Sequence, residues 1–370
     1  MFLRRVFSQM RQGDGLLTAT AFVLILFGLA AIYSVALSQP SSDFLNVKKQ
    51  LVALGIGALL YVGASMFNYR LFRNYGAVLY ALGNFLLFFV LFFGETIRGT
   101  TGWFSVWEIH FQPVEPMKFV LVVVLASYFS QRARRVFARR ELVESMAIVA
   151  VPVLLTLFQP DLGSALVFCG IWGVMVLFAG IPKRFLAIIF SAVGAFGWIA
   201  WTFLFADYQR DRILTFLHPS LDPLGRGYNV TQAIIAIGSG GLGGRGLGFG
   251  SQSQLKFLPE SQTDFIFAVI AEELGLVGVL CVLGTFFFLL FRFLRLARRT
   301  KDELAAFLVI GCGAAFFLQA FVNIGMNMGL LPVTGIGLPL VSYGGSSLML
   351  FLGMLGVANS IARQTPSSST

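Results

Sequence analysis

The chain has 370 residues, of which 57% are hydrophobic and only 12% charged, and its mean hydropathy is +0.82. A soluble domain is nearer half apolar and a quarter charged, so composition excludes a soluble globular protein and points to an integral membrane protein. The net charge of +10 does not indicate a nucleic-acid partner, because the lysines and arginines sit in short clusters between long apolar runs.

A membrane-spanning helix needs about 20 mostly apolar residues. Ten segments fit that pattern in chain order: 15–37, 47–67, 72–93, 113–130, 144–158, 162–181, 184–205, 264–291, 303–325 and 343–362. The first follows "MFLRRVFSQMRQGDG", whose double arginine resembles an export signal. Its apolar run is too long for a cleavable signal, so it reads as the first span. With the N-terminus inside, 18 of the 27 lysines and arginines fall on inside segments, which predicts N-in and C-in. Residues 206–263 then form a long outside loop between spans seven and eight. Its apolar patch "AIIAIG" predicts order rather than disorder. Residues 364–370 read as a short disordered tail. There is no internal repeat and no second soluble domain, so residues 1–370 are expected to form one all-α polytopic membrane domain of about ten helices.

Cys169, Cys281 and Cys312 all lie in apolar runs and read as packing residues, without metal spacing. His110 and His218 are the two histidines, too few for a His-ligated metal site or a Ser-His-Asp triad.

Ionisable groups within membrane helices are costly and normally face a cavity or one another. Three clusters stand out. In "FQPVEPMKF", Glu115 and Lys118 are three residues apart and can pair on one helix face, either as a structural pair or as a cavity wall. In "LFQPDLGSALVF", Asp161 lies at an outer turn and could cap the helix that follows. In "KFLPESQTDFIFAVIAEELGLVGVL", Asp264 lies at the outer mouth of span eight, where an N-cap role is plausible, and Glu272 and Glu273 lie about two turns deeper. Adjacent residues point about 100° apart, so Glu272 and Glu273 cannot share one narrow face.

"GLGGRG", residues 241–246, satisfies the spacing of a dinucleotide-binding loop, but the strand, helix and soluble βαβ unit that such a site needs are missing. A loop whose backbone N–H groups meet an anion, with Arg245 beside it, stays open.

"NIGMNMGLLPVTGIGLPLVSYGGSS", residues 323–347, resembles the signature of the SEDS family (shape, elongation, division and sporulation proteins). "FLPESQTDFIFAVIAEELGLVG", "FQPVEPMKF", "QPDLGSALV" and "DPLGRGYNVTQAIIAIGSGGLGGRGLGFGSQSQLKF" resemble its other blocks, and the likeness runs from the first span to the tenth. The blocks are closer to the elongation branch than to the division branch. The resemblance implies a peptidoglycan glycosyltransferase of the bacterial cytoplasmic (inner) membrane. Such an enzyme polymerises lipid II, an undecaprenyl-diphosphate-linked disaccharide-peptide, at the outer face. The implied partners are a class B penicillin-binding protein, other elongation-complex proteins, lipid II and membrane lipids. The family's essential aspartate falls on Asp264, and its cavity Glu and Lys on Glu115 and Lys118. Two positions depart from the pattern: Gln262 stands where members often carry His, and Gly102 stands before Trp103 where an Arg is usual, with Arg98 as a substitute.

The implied chemistry is a single displacement with inversion. It needs a base for the acceptor hydroxyl, which Asp264 could be, and cations for the leaving diphosphate, for which Lys118, Arg212 and Arg245 are candidates. Glu115 and Asp161 are further substrate-side candidates. Alternatively Asp264 ligates a divalent cation, Mg or Mn. Two rival functions use the same residues: a lipid II flippase, and a non-catalytic scaffold that activates a penicillin-binding protein.

Overall fold

The computed structural model describes residues 13–37, 44–97, 99–106, 109–133, 137–204, 210, 214, 216 and 226–365. The described helices are α1 (Gly15–Leu37), α2 (Leu45–Met66), α3 (Phe72–Phe93), α4 (Val114–Ser130), α5 (Arg139–Phe158), α6 (Leu162–Phe178) and α7 (Lys183–Ile199). They continue with α8 (Arg226–Ser239), α9 (Ser251–Gln254), α10 (Ile266–Arg299), α11 (Glu303–Asn327) and α12 (Gly345–Gln364). Each of the ten expected spans falls on one of these helices. Seven of them, α1, α2, α3 with its preceding turn, α5, α10, α11 and α12, are long and apolar enough to cross a membrane. The remaining three, α4, α6 and α7, have 17 residues each.

The expectation of an all-α chain needs one correction. Between α3 and α4 lies a small antiparallel sheet in the order β1 (Glu95–Ile97), β2 (Thr100–Val106), β3 (Ile109–Phe111). The stretch is too short and too mixed in polarity for a span. "TTGWFSV" carries the β-branched and aromatic residues that favour a pleated strand.

The core is built around α11, which packs on α4, α6 and α10. Gly311, Gly313, Ala305, Ala314 and Ala315 keep its surface small, so neighbouring helices approach closely, as membrane helices do when no hydrophobic effect drives them together. The other strong pairing is α2 with α12, where a side chain at Gly356 would strike the Tyr61 carbonyl. The ends of α1, α10 and α12 are tied together. The Asp14 carboxylate caps Leu17 and takes two hydrogen bonds from Arg292, and the Asp14 amide donates to Asn359.

Helix α10 is not straight. Its Phe293 packs against Gly313 and Phe316 of α11, whereas its Ala268 amide donates to Asn327 near the end of α11. Between these contacts α10 spends 25 residues and α11 about 14. At about 1.5 Å per residue the two paths differ by roughly 16 Å, so α10 must bend. It breaks at Gly275, whose φ of 65° and ψ of −162° are non-helical.

Candidate functional site

The break in α10 explains the glycine-rich motif. Interrupting a helix at membrane depth strands carbonyls on one side and amides on the other, at several kcal/mol for each unsatisfied group. The 240–246 loop supplies the partners. Arg245 N–H donates to Glu272 O (3.0 Å) and Gly246 N–H to Glu273 O (2.9 Å), while Leu276 N–H donates to Gly241 O (2.9 Å) and Val277 N–H to Leu242 O (3.3 Å). The fit is backbone on backbone. A Cβ at Gly240 would sit 1.9 Å from Ala271 O, and one at Gly244, where φ is +79°, would sit 2.2 Å from Glu273 O. The glycines are therefore there for close approach to a broken helix. The anion-loop possibility is corrected on the same ground, because the Arg245 and Gly246 amides are already bonded.

The two deep glutamates serve the same junction. Glu272 is buried and accepts from the backbone amides of Gln252 (2.7 Å) and Ser253 (3.1 Å), holding the short helix α9. Glu273 accepts from Ser34 Oγ (2.6 Å) and Gln254 Nε2 (3.2 Å). Their partners differ in part: Glu272 meets the start of α9, whereas Glu273 meets the end of α9 and Ser34 of α1.

The segment of α10 before the break, residues 266–274, is almost wholly buried and begins beside Asp264. Phe265 holds the N-cap position of α10, so Asp264 is not the capping residue. It is half-buried, and its main chain is rigidly held. The Asp264 carbonyl accepts from Nδ2 of both Asn323 and Asn327, at 2.9 Å each. Asn323 also donates to Ile336 O (2.7 Å). Thr263 O accepts from Ser342 Oγ (2.6 Å), Tyr343 N–H donates to Gln262 O (2.8 Å), and Asn46 donates to Gln262 Oε1 (2.7 Å). Three segments thus converge on residues 262–264. Gly335, at φ +75°, lies beside the carboxylate: a Cβ there would lie 3.9 Å from Asp264 Oδ2, an ordinary van der Waals contact.

The 334–336 loop connects this carboxylate to the other charged clusters. On its far side a Cβ at Gly163 would meet Thr334 O at 2.7 Å, and Gly163 lies two residues past Asp161. Asp161 is the N-cap of α6. Its Oδ1 accepts from Ser164 N–H (2.9 Å) and its Oδ2 from Ser164 Oγ (2.7 Å), which fulfils the capping expectation. Burial pushes the Asp161 carboxyl above its usual range; the Ser164 hydrogen bonds and the Lys118 charge pull it down, and Glu115 pushes it up. Asp161 therefore lies within the field of the α4 pair.

That pair is buried, as Glu272 and Glu273 are. Lys118, 1% exposed, donates from Nζ to Glu115 Oε1 at 2.6 Å, while Glu115 Oε2 is buried without a hydrogen-bond partner. A buried acceptor left unpaired in this way is costly. The sheet roofs this side. Thr101 N–H donates to Gln159 O (3.3 Å), and β3 leads directly into α4. Gly102, one of the two departures from the family pattern, faces Gln159 Oε1. Arg98 lies outside the described residues.

Arg212 also lies outside the described residues. Arg245 is exposed, and its guanidinium donates to Ser251 Oγ (2.9 Å) and Ser239 O (3.3 Å). Its backbone meets the far end of the buried half-helix, eight residues or about 12 Å from Asp264. The structure therefore brings Asp264 and the start of α6 to the 334–336 loop, places Glu115 and Lys118 near enough to act on the Asp161 charge, and leaves Arg245 at the helix junction.

Sequence reasoning missed Asn323 and Asn327. With Gln319 they form an amide stripe at i, i+4 and i+8 on the otherwise apolar helix α11, and all three are buried. That spacing was a visible signal, since a buried amide in an apolar helix must find a partner.

A family model described as cell cycle protein (FtsW/RodA/SpoVE) matches residues 14–367. The chain is 38% identical to the peptidoglycan glycosyltransferase MrdB of Escherichia coli K12, over 92% of each chain. It is 37% identical to stage V sporulation protein E of Bacillus subtilis, over 95% of this chain and 97% of that one. Among solved structures it resembles a chain from a peptidoglycan synthase complex that coordinates polymerization and crosslinking, with TM-score 0.81, 31% identity and coverage of 96% and 99%. It also resembles the rod shape determining protein RodA of Thermus thermophilus, with TM-score 0.72, 29% identity and coverage of 96% and 98%. The chain belongs to the FtsW/RodA/SpoVE family, the SEDS proteins.

Proposed function

We infer that this chain is a peptidoglycan glycosyltransferase of cell elongation, a multi-pass protein of the bacterial inner membrane. The observation that carries the reading is Asp264: a half-buried carboxylate at the start of α10, with its backbone carbonyl held by two buried asparagines and Gly335 beside its Oδ2. A half-buried carboxylate on a backbone fixed in this way suits the role of a general base. Ten crossings, by α1–α7 and α10–α12 with both ends inside, agree with the basic clusters and with the Asp14–Asn359 hydrogen bond that joins the two ends of the described chain.

The substrate is a lipid-linked diphosphate, lipid II. Asp264 takes the proton of the acceptor sugar hydroxyl, whose oxygen displaces the diphosphate with inversion. Lys118, paired with Glu115 and acting on the Asp161 charge, draws the departing negative charge. Asp161 sets that loop through the start of α6. Arg212 and Arg245 are assigned to the outer reach of the substrate. Among the described residues no three His, Cys, Asp or Glu side chains come together. A divalent cation, Mg or Mn, would therefore rest on Asp264 and on substrate oxygens, a donor set that suits Mg2+. Bound there it would neutralise diphosphate charge. A class B penicillin-binding protein is the partner, supplying crosslinking.

The test reconstitutes the full chain with its cognate penicillin-binding protein and labelled lipid II. Glycan polymer is expected from the wild type and none from Asp264→Ala, with the variant folded and partner-bound. Polymer from the variant would overturn the assignment. Lipid II translocation without polymer from the wild type would establish a flippase instead, and crosslinking stimulation alone a scaffold.

A further inference from the structure

On the inner face, in the proposed orientation, a cavity of about 300 Å³ is lined by Arg70, Arg73, Asp302 and Leu304. It lies between the α2–α3 turn and the start of α11, remote from Asp264. Its frame is rigid. Asn68 accepts from the Arg70 amide (3.1 Å) and fixes the one-turn helix Tyr69–Leu71, whose buried Tyr69 donates to Asp302 Oδ2 (3.0 Å). Asp302 Oδ1 accepts from Leu304 N–H (3.1 Å). Asp302 is thus occupied by its cap, by Tyr69 and by Arg70, whose Nε lies 3.8 Å away. One carboxylate faces two guanidiniums, so the cavity keeps net positive charge. The chain next to Asp302 adds to it: Arg298, Arg299 and Lys301, within four residues of Asp302, are exposed, against Glu303 on the other side.

We propose that this cavity binds the phosphate of an anionic phospholipid headgroup in the inner leaflet. Guanidiniums suit phosphate because their planar donor fork matches its oxygens. A basic cleft between membrane helices at headgroup depth is where such lipids are recognised. The site clamps the α2–α3 turn to the α10–α11 turn and so links the helix that begins just after Asp264 to the lipid composition of the membrane.

The test is native mass spectrometry of the full-length protein released from micelles, with phosphatidylglycerol, cardiolipin, phosphatidylethanolamine or inorganic phosphate added in separate arms. Wild type is expected to retain phosphatidylglycerol and cardiolipin over phosphatidylethanolamine. Arg70→Gln/Arg73→Gln is expected to bind them about 30-fold more weakly, the loss of two surface cations. Lys183→Gln/Arg184→Gln removes the same charge from another inner loop and is expected to leave binding unchanged. Retention of inorganic phosphate without lipid would identify the source as a soluble phosphate. Equal lipid retention by both double variants, or loss in both, would overturn the site. Unchanged unfolding midpoints of the variants exclude misfolding as the cause of any loss.

Discussion

Replacing Gly244 by alanine tests whether the glycine loop holds the broken helix. The new Cβ would lie 2.2 Å from Glu273 O, against 3.4 Å or more for an ordinary contact. The loop must retreat by more than 1 Å, and its 3.0 Å and 2.9 Å bonds to Glu272 O and Glu273 O cannot survive that. Each buried hydrogen bond lost with its partner left unpaired costs about 1–2 kcal/mol, and a left-handed alanine about 1 kcal/mol more. The expected destabilisation is therefore about 3–5 kcal/mol. Reversible unfolding in mixed micelles of increasing dodecyl sulfate, followed by tryptophan fluorescence, measures it. The internal control is Gly243→Ala in the same loop, where nothing lies within 4 Å of the new Cβ and the change should stay within about 0.5 kcal/mol. Equal midpoints for the two variants would refute the backbone-on-backbone account.

Three further outcomes are expected. Asn327→Ala removes the donor to Asp264 O and the acceptor for Ala268 N–H, so it should cost about 2–4 kcal/mol in the same unfolding assay and lower polymerisation more than it lowers lipid II retention. Arg292→Ala leaves the Asp14 carboxylate buried without its cation and should cost about 3–5 kcal/mol, whereas Asp14→Asn/Arg292→Gln should recover part of that loss; a double variant no better than the single one would show that the pair is not coupled. For Asp161 the folded-state carboxyl is raised by burial, so its ionisation opposes folding as pH rises through the raised value, and stability is greatest below the unfolded value. Asp161→Asn keeps an acceptor for the Ser164 amide and should flatten that pH dependence without loss of stability near neutrality, while Asp161→Ala should cost about 1 kcal/mol from the lost cap.

Much of the fold was legible because its signals are local. Runs of apolar residues near membrane thickness located the ten helices, and clusters of arginine between them suggested which ends lie inside. The Asp161 cap and the Glu115–Lys118 pair follow from spacing along one helix, three residues in each case, and both are formed as expected. The small sheet was missed because seven residues of strand between two spans carry too few period-two positions to register. The amide stripe of α11 was legible in principle, but its partners were not: Asn323 meets a carbonyl 59 residues away and another beyond the helix end.

By itself the sequence determined that this chain is a membrane protein, where its helices run and, through the family blocks, which carboxylate to suspect. Only the tertiary structure decided what "GLGGRG" and the deep glutamates are for. Their meaning lies in hydrogen bonds between segments some 30 residues apart, and those bonds exist because a helix broken inside a membrane has no water to satisfy its backbone. Likewise, the setting of Asp264 belongs to no single segment. It comes from the start of α10, from α11 and from the 334–336 loop meeting around one residue.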